Sequence, residues 1–143
     1  MSERAPKPLF LQFGVQDQII FAKRLSMILR SGMPIMEGLH LLRGAHTSRS
    51  GSHIYASLIA DVGGGNTLSF GLQKFERIFG QFCISIVRIG EVSGTLHENL
   101  EYVAEELRRM HALRRKVIGA LLYPALISLA TIGITILLTT RSG

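Results

Sequence analysis

The sequence predicts an all-α protein: a six-helix cytoplasmic bundle whose last, long helix continues into a transmembrane helix. Three observations carry this. Apolar residues recur at three- and four-residue spacing through every long segment, and no stretch alternates as a strand would. A basic stretch, Arg108-Arg109-Met110-His111-Ala112-Leu113-Arg114-Arg115-Lys116, leads directly into an apolar one, residues 117–140. Residues 121–140 contain no formally charged side chain, about the ~20 residues a helix needs to cross a ~30 Å hydrocarbon core.

The elements follow in order. Residues 1–14 read as a flexible tail, since the first nine carry two prolines and three charges. Residues 1–20 show no uncharged apolar run followed by a small-residue cleavage site. From Gln16 the helical pattern begins, with Ile20, Phe21, Arg24, Leu25, Ile28 and Leu29 at helical spacing. Gly32 is placed to end that helix and Pro34 to open the next, so Ser31-Gly32-Met33 forms a tight corner. The second helix is expected over residues 34–46, with Ile35, Leu39 and Leu42 inward and Glu37 in its first turn. Residues 47–52 read as a polar loop, and a third helix is expected over 52–63.

Gly63-Gly64-Gly65-Asn66 breaks the third helix. Three glycines invite a phosphate-loop reading, but no Gly-Lys-Ser/Thr follows them and no strand precedes them; a helix–helix corner is the better fit. Asn66 or Thr67 caps a short fourth helix running to about Phe75. A fifth, over about 79–92, is apolar on most sides (Phe82, Ile84, Ile86, Val87, Ile89) and is expected to be buried mid-bundle. Gly94 ends it. Thr95 and Glu98 then have the spacing of a capping box, opening a helix that runs from Leu96 through Pro124. Pro124 is expected to bend that helix, with Tyr123 beside it as an interfacial aromatic.

The domain boundaries that follow are a tail at 1–14, a helical domain at 15–116, a membrane helix at 117–140 and a short tail at 141–143. A soluble part of about 100 residues supports one small core. Mean hydropathy is +0.30 and net charge +6. Much of that charge (Arg108, Arg109, Arg114, Arg115, Lys116) lies just before the apolar run, against Arg141 alone beyond it. Basic residues collect on the cytoplasmic side of spans, so the N-terminal domain is expected in the cytoplasm and the cluster on lipid headgroups. A nucleic-acid-binding or regulatory role for the basic surface is the alternative. With few aromatics and no Trp, a base-stacking platform is not expected, and no nucleic-acid partner is assigned.

Chemistry-bearing patterns are sparse. The single cysteine, Cys83, excludes an intramolecular disulfide and reads as a buried small hydrophobe. Five dispersed histidines form no metal-ligand spacing such as HExxH. No catalytic constellation, cofactor or metal is expected, and the chain is read as a non-enzyme. The best local signature is Gly90-Glu91-Val92-Ser93-Gly94-Thr95-Leu96. Its puzzle is Glu91, a carboxylate near a helix C-terminus, where the dipole disfavours it. An ion pair, a partner contact or a cation would each account for it.

Taken together, the pieces resemble one family, the polytopic inner-membrane platform proteins of type II secretion and type IV pilus assembly (F or PilC-like). The resemblance rests on residues 21–35, from Phe21-Ala22-Lys23-Arg24 to Gly32-Met33-Pro34-Ile35. It rests also on Gly65-Asn66-Thr67-Leu68-Ser69, Ile89-Gly90-Glu91-Val92-Ser93-Gly94-Thr95-Leu96, and Leu121-Leu122-Tyr123-Pro124. These occur in the family's order across residues 17–127. The resemblance implies a six-helix cytoplasmic domain that dimerises. It implies partners as well: a cytoplasmic hexameric ATPase, pilins or pseudopilins, and other platform subunits. Some members bind a cation near acidic residues, for which Glu91 is the one matching position. The family carries two domain copies and about three spans. This chain has one of each, and is expected to be the first half of such a protein.

Overall fold

The computed structural model describes residues 13–142. Six helices account for nearly all of them: α1 (Val15–Arg30), α2 (Ile35–Ala45), α3 (Arg49–Gly63), α4 (Leu68–Gln73), α5 (Glu76–Ser93) and α6 (Leu96–Ser142). No strand occurs among the described residues. The chain divides into two compact units, a bundle up to Arg108 and the remainder of α6 from Arg109 onward.

Local chemistry sets the ends of each bundle helix. Gly14 is the N-cap of α1, and its N–H donates to Asp17 Oδ2 at 2.9 Å, so the third helical residue reaches back to the cap. Ser31 closes the helix, its Oγ donating to Ile28 O at 2.6 Å. Gly32 then turns the chain with φ +88°, a conformation only glycine adopts cheaply. Pro34 is the N-cap of α2 with φ −59° and ψ 146°. The predicted corner is therefore present.

Three boundaries differ from the sequence pattern, each for a local reason. α3 starts three residues early because Ser48 Oγ accepts from Gly51 N–H at 3.1 Å, drawing part of the expected polar loop into the helix. Ser50 and Gly51 are buried as a result. α5 starts at Glu76 rather than about 79, and bends at Gly80, whose φ of 78° and ψ of 154° are non-helical. The tail boundary also moves. Phe13 is 2% exposed, its ring 5.6 Å from that of Phe79 and 5.7 Å from that of His46. Residues 1–12 lie outside the described part of the chain.

The core is one cluster. Phe21, Leu25, Leu39, Ile54, Leu58, Leu72, Ile84, Val87, Leu100 and Val103 are all essentially inaccessible. α1 packs on α2, α2 on α3, α3 on α4 and α4 on α5. α6 is fastened to the bundle by polar bonds. Ser26 Oγ donates to His97 O at 2.8 Å, Lys23 Nζ to Glu101 Oε1 at 3.0 Å, and Asn99 Nδ2 to Ile86 O at 2.8 Å.

The expected burial of α5 on most sides is not what the structure shows. Phe79, Cys83, Ile84, Val87 and Gly90 form its buried stripe, while Phe82 is 41%, Ile89 57% and Val92 86% exposed. The apolar residues exceed what one stripe accommodates, and the excess faces outward. Phe82 meets the half-exposed Tyr102 of α6, ring centroids 6.3 Å apart.

In the second unit α6 remains helical through Pro124. Its apolar side chains are exposed throughout, and an 18-residue window has mean hydropathy 2.2 with none of it buried. Thr131, Thr135, Thr139 and Thr140 each turn their hydroxyl onto the carbonyl four residues back. In a helix of this polarity that satisfies the hydroxyls internally.

Candidate functional site

The three corners singled out in the sequence meet at one end of the bundle. They line a cleft of about 350 Å³. Leu29 and Ile35 come from either side of the Gly32–Pro34 corner, Asn66, Thr67 and Leu68 from the α3–α4 corner, and Gly90, Glu91, Gly94, Leu96 and His97 from the α5–α6 corner.

The α5–α6 corner can be derived residue by residue. Gly94 has φ +74° and donates its N–H to Gly90 O, and Thr95 N–H also donates to Gly90 O at 2.9 Å; a left-handed glycine just past a helix end is the usual stop. Gly90 is required by space rather than by conformation. A Cβ there would lie 2.9 Å from Leu96 Cα and 3.0 Å from Asn99 Cβ. α5 and the start of α6 touch backbone to backbone at that point. The expected Thr95–Glu98 capping box is replaced: Thr95 Oγ1 donates to Asn99 Oδ1 at 3.2 Å, and Glu98 lies 3.7 Å from His97 Nε2.

Glu91 has a different partner from any anticipated. Its Oε1 accepts from Ser69 N–H at 3.0 Å and its Oε2 from Ser69 Oγ at 2.6 Å. Ser69 is the second residue of α4, whose N-cap Thr67 accepts from Phe70 N–H at 3.2 Å. The carboxylate sits unfavourably at the end of its own helix but favourably at the start of another, where free N–H groups point outward. It thereby ties the α5–α6 corner to the α3–α4 corner. A bond pair of this charge-assisted kind contributes about 1.5–3 kcal/mol. No group of three or more His, Cys, Asp or Glu side chains suited to a metal occurs among the described residues.

Other polar side chains escaped the sequence reading. Asp61, near the end of α3, is 9% exposed; its Oδ1 accepts from Lys74 Nζ at 2.7 Å, and its Oδ2 is buried with no hydrogen-bond partner among the described residues. Lys74 also lies 5.5 Å above the Phe70 ring. Burial pushes the Cys83 thiol up to about 12 from 9.0, the behaviour of a packed side chain rather than a nucleophile. Burial, reinforced by Asp17, likewise pushes Tyr55 up to about 12. The hydrogen bond from Lys23 holds Glu101 below its usual range. Ser26, Ser69 and Asn99 looked like ordinary helix residues because their partners lie far away in sequence.

The geometry defines a class: a helical bundle built on interlocked corners, followed by a helix long and apolar enough to cross a membrane. The family described as type II secretion system, protein F, matches residues 21–140, and the chain belongs to that family. It is 32% identical over 117 residues to the type II secretion system protein F of Xanthomonas campestris pv. campestris, covering 82% of this chain and 29% of that protein. It is 31% identical over 127 residues to the type IV pilus assembly protein PilC of Thermus thermophilus, covering 89% of this chain and 31% of that one. It is 30% identical over 122 residues to the type 4 fimbrial assembly protein PilC of Pseudomonas putida, covering 85% and 30%. The chain thus spans about 30% of the length of these relatives. The apolar helix and the family together support a membrane location.

Proposed function

We propose that this chain is the first cytoplasmic domain and first membrane helix of an inner-membrane platform subunit in a type II secretion or type IV pilus assembly machine. In this reading it has no active site. It couples a cytoplasmic assembly ATPase to the polymerisation of pilins or pseudopilins. The observation that carries the reading is the extent of the family match, which runs through the bundle and the apolar helix alike. The rigid, corner-tied bundle suits mechanical coupling, since Glu91, Asn99 and Ser26 each bridge separate helices.

The bundle lies on the cytoplasmic side in this proposal. Arg108, Arg109, Arg114, Arg115 and Lys116 precede the apolar run, and about 1 kcal/mol per basic residue near an anionic leaflet holds them there. The bundle also self-associates, through the exposed apolar face formed by Phe82, Ile89 and Val92 of α5 with Tyr102 of α6.

The test is genetic and direct. Disrupting the gene in its native host abolishes pilus assembly or type II secretion, and photo-crosslinkers at Asn66 or His97 in the cleft capture another subunit of the machine. Normal secretion and piliation in the disrupted strain would overturn the proposal.

A further inference from the structure

The α1–α2 hairpin carries two neighbouring clefts, one polar and one apolar. The polar one, about 160 Å³, is lined by Asp17, Ile20, His46 and Tyr55. The apolar one, about 250 Å³, is lined by Met27, Ile28 and Leu41. Arg24, Leu42 and Ala45 line both, so the two are continuous. Neither shares a lining residue with the three-corner cleft.

The polar end holds two donors without partners. Tyr55 is 3% exposed, its ring 6.0 Å from that of Phe21 and 5.7 Å from that of His46. Its hydroxyl has no hydrogen-bond partner among the described residues, and Asp17 and Arg24 both act on it electrostatically, which places it at this end of the groove. Arg24 is exposed and makes neither an ion pair nor a hydrogen bond among the described residues. Asp17, the acid of this cleft, is already engaged, its Oδ2 accepting from Gly14 N–H at 2.9 Å. Arg43 and Arg49, which flank His46 in sequence, are likewise exposed and without ion pairs among the described residues. A phenol and a planar guanidinium facing one cleft match a carboxylate, the acceptor that takes charge-assisted bonds from both.

The apolar end is bare, with Met27 60% and Leu41 54% exposed. Past Leu41 a further cleft of about 390 Å³ is lined by Met33, Glu37 and His40. The hairpin therefore runs from a cationic end at Arg24, over an apolar middle, to an acid at Glu37. A furrow between two helices with an adaptable methionine suits an amphipathic helix laid into it.

We propose that this groove receives an amphipathic helix of a partner protein, with one Asp or Glu side chain bonded by Arg24 and the Tyr55 hydroxyl and an apolar stripe over Met27, Ile28 and Leu41. Glu37 repels an acid at the opposite end, so the carboxylate sits at one end of the stripe only. This recognition chemistry goes beyond the platform role and stands whether or not the chain is a platform subunit.

A phage-displayed library of amphipathic helical peptides tests it, selected against the full chain in detergent micelles and, in parallel, against the Arg24→Glu variant. Peptides from the parent carry Asp or Glu beside the apolar stripe, and those from the variant carry Lys or Arg at that position. A parent-selected peptide, synthesised and labelled, binds Arg24→Ala and Met27→Asp/Leu41→Asp at least about tenfold more weakly than the parent. It also binds Tyr55→Phe, which keeps the ring, more weakly, while circular dichroism shows all variants equally helical. Selection of the same peptides by the parent and Arg24→Glu, or of none whose binding depends on Arg24, overturns the proposal. So does a photo-crosslinker at Leu41 that joins two chains at dimer mass without peptide, which would mean that a second copy fills the groove.

Discussion

Leu25 and Leu126 are both helical leucines, yet one is 0% and the other 65% exposed. That contrast holds for the two units as wholes. The bundle's leucines, isoleucines and phenylalanines are largely satisfied by one another. From Arg109 onward no described residue is buried. The same kind of side chain therefore needs protein as its solvent in one unit and something else in the other. A helix with an apolar surface on every side, internally bonded threonines and a basic flank is matched to lipid.

The contrast sets the largest expected effect. Leu25→Ala costs about 2–5 kcal/mol, because it removes transfer energy and leaves a cavity. Leu126→Ala leaves the bundle's stability within about 0.5 kcal/mol. Denaturant titrations of both variants, followed by circular dichroism in detergent, measure this directly. Equal costs would erase the distinction between the units.

A second test addresses close approach rather than burial. Gly90→Ala places a Cβ 2.9 Å from the Leu96 backbone, and overpacking against backbone costs about 1–3 kcal/mol. Glycines in the apolar unit, Gly119 and Gly133, have nothing within 4 Å of a built Cβ, so alanine there leaves unfolding of the bundle unchanged. Gly32→Val, also in open space but at φ +88°, costs more than about 1 kcal/mol through backbone strain alone.

The remaining test concerns pH. Tyr55 and Cys83 have folded-state values of about 12, raised from 10.0 and 9.0. Groups raised on folding contribute stability that is complete below their unfolded values and is lost as pH rises toward the folded ones. The bundle is thus expected to weaken progressively from about pH 9 to pH 12. Glu101 is lowered, so its small contribution is present above 4.5 and disappears as pH falls below it. Unfolding midpoints measured between pH 3 and pH 11 show both limbs. A midpoint still rising above pH 10 would contradict the assigned environments.

Much of the bundle was legible because helix ends are written locally. Gly32, Pro34 and Gly94 mark corners by conformational preference and Thr67 by its capping hydroxyl, and the structure places each of them at one. What was hidden depends on contacts across the chain. Glu91 looked anomalous because its partner, Ser69, lies 22 residues away; once α4 is placed, the anomaly becomes a cap. Periodicity also failed to show which apolar face of α5 is surplus, since Phe82 and Val87 are equally apolar in sequence and only packing tells them apart. The bend at Gly80 was passed over inside an otherwise continuous apolar pattern. The apolar half of α6 was the most legible element, because length and lack of charge define it without any tertiary partner.

The solvent of that half of α6 is open to one decisive measurement. Membranes from cells expressing the full chain are extracted with alkaline carbonate, and pellet and supernatant are compared. A chain whose residues 120–140 cross the bilayer stays in the pellet, and Leu126→Arg with Leu129→Arg moves it to the supernatant. Release of the unaltered chain by carbonate would contradict a lipid-embedded helix.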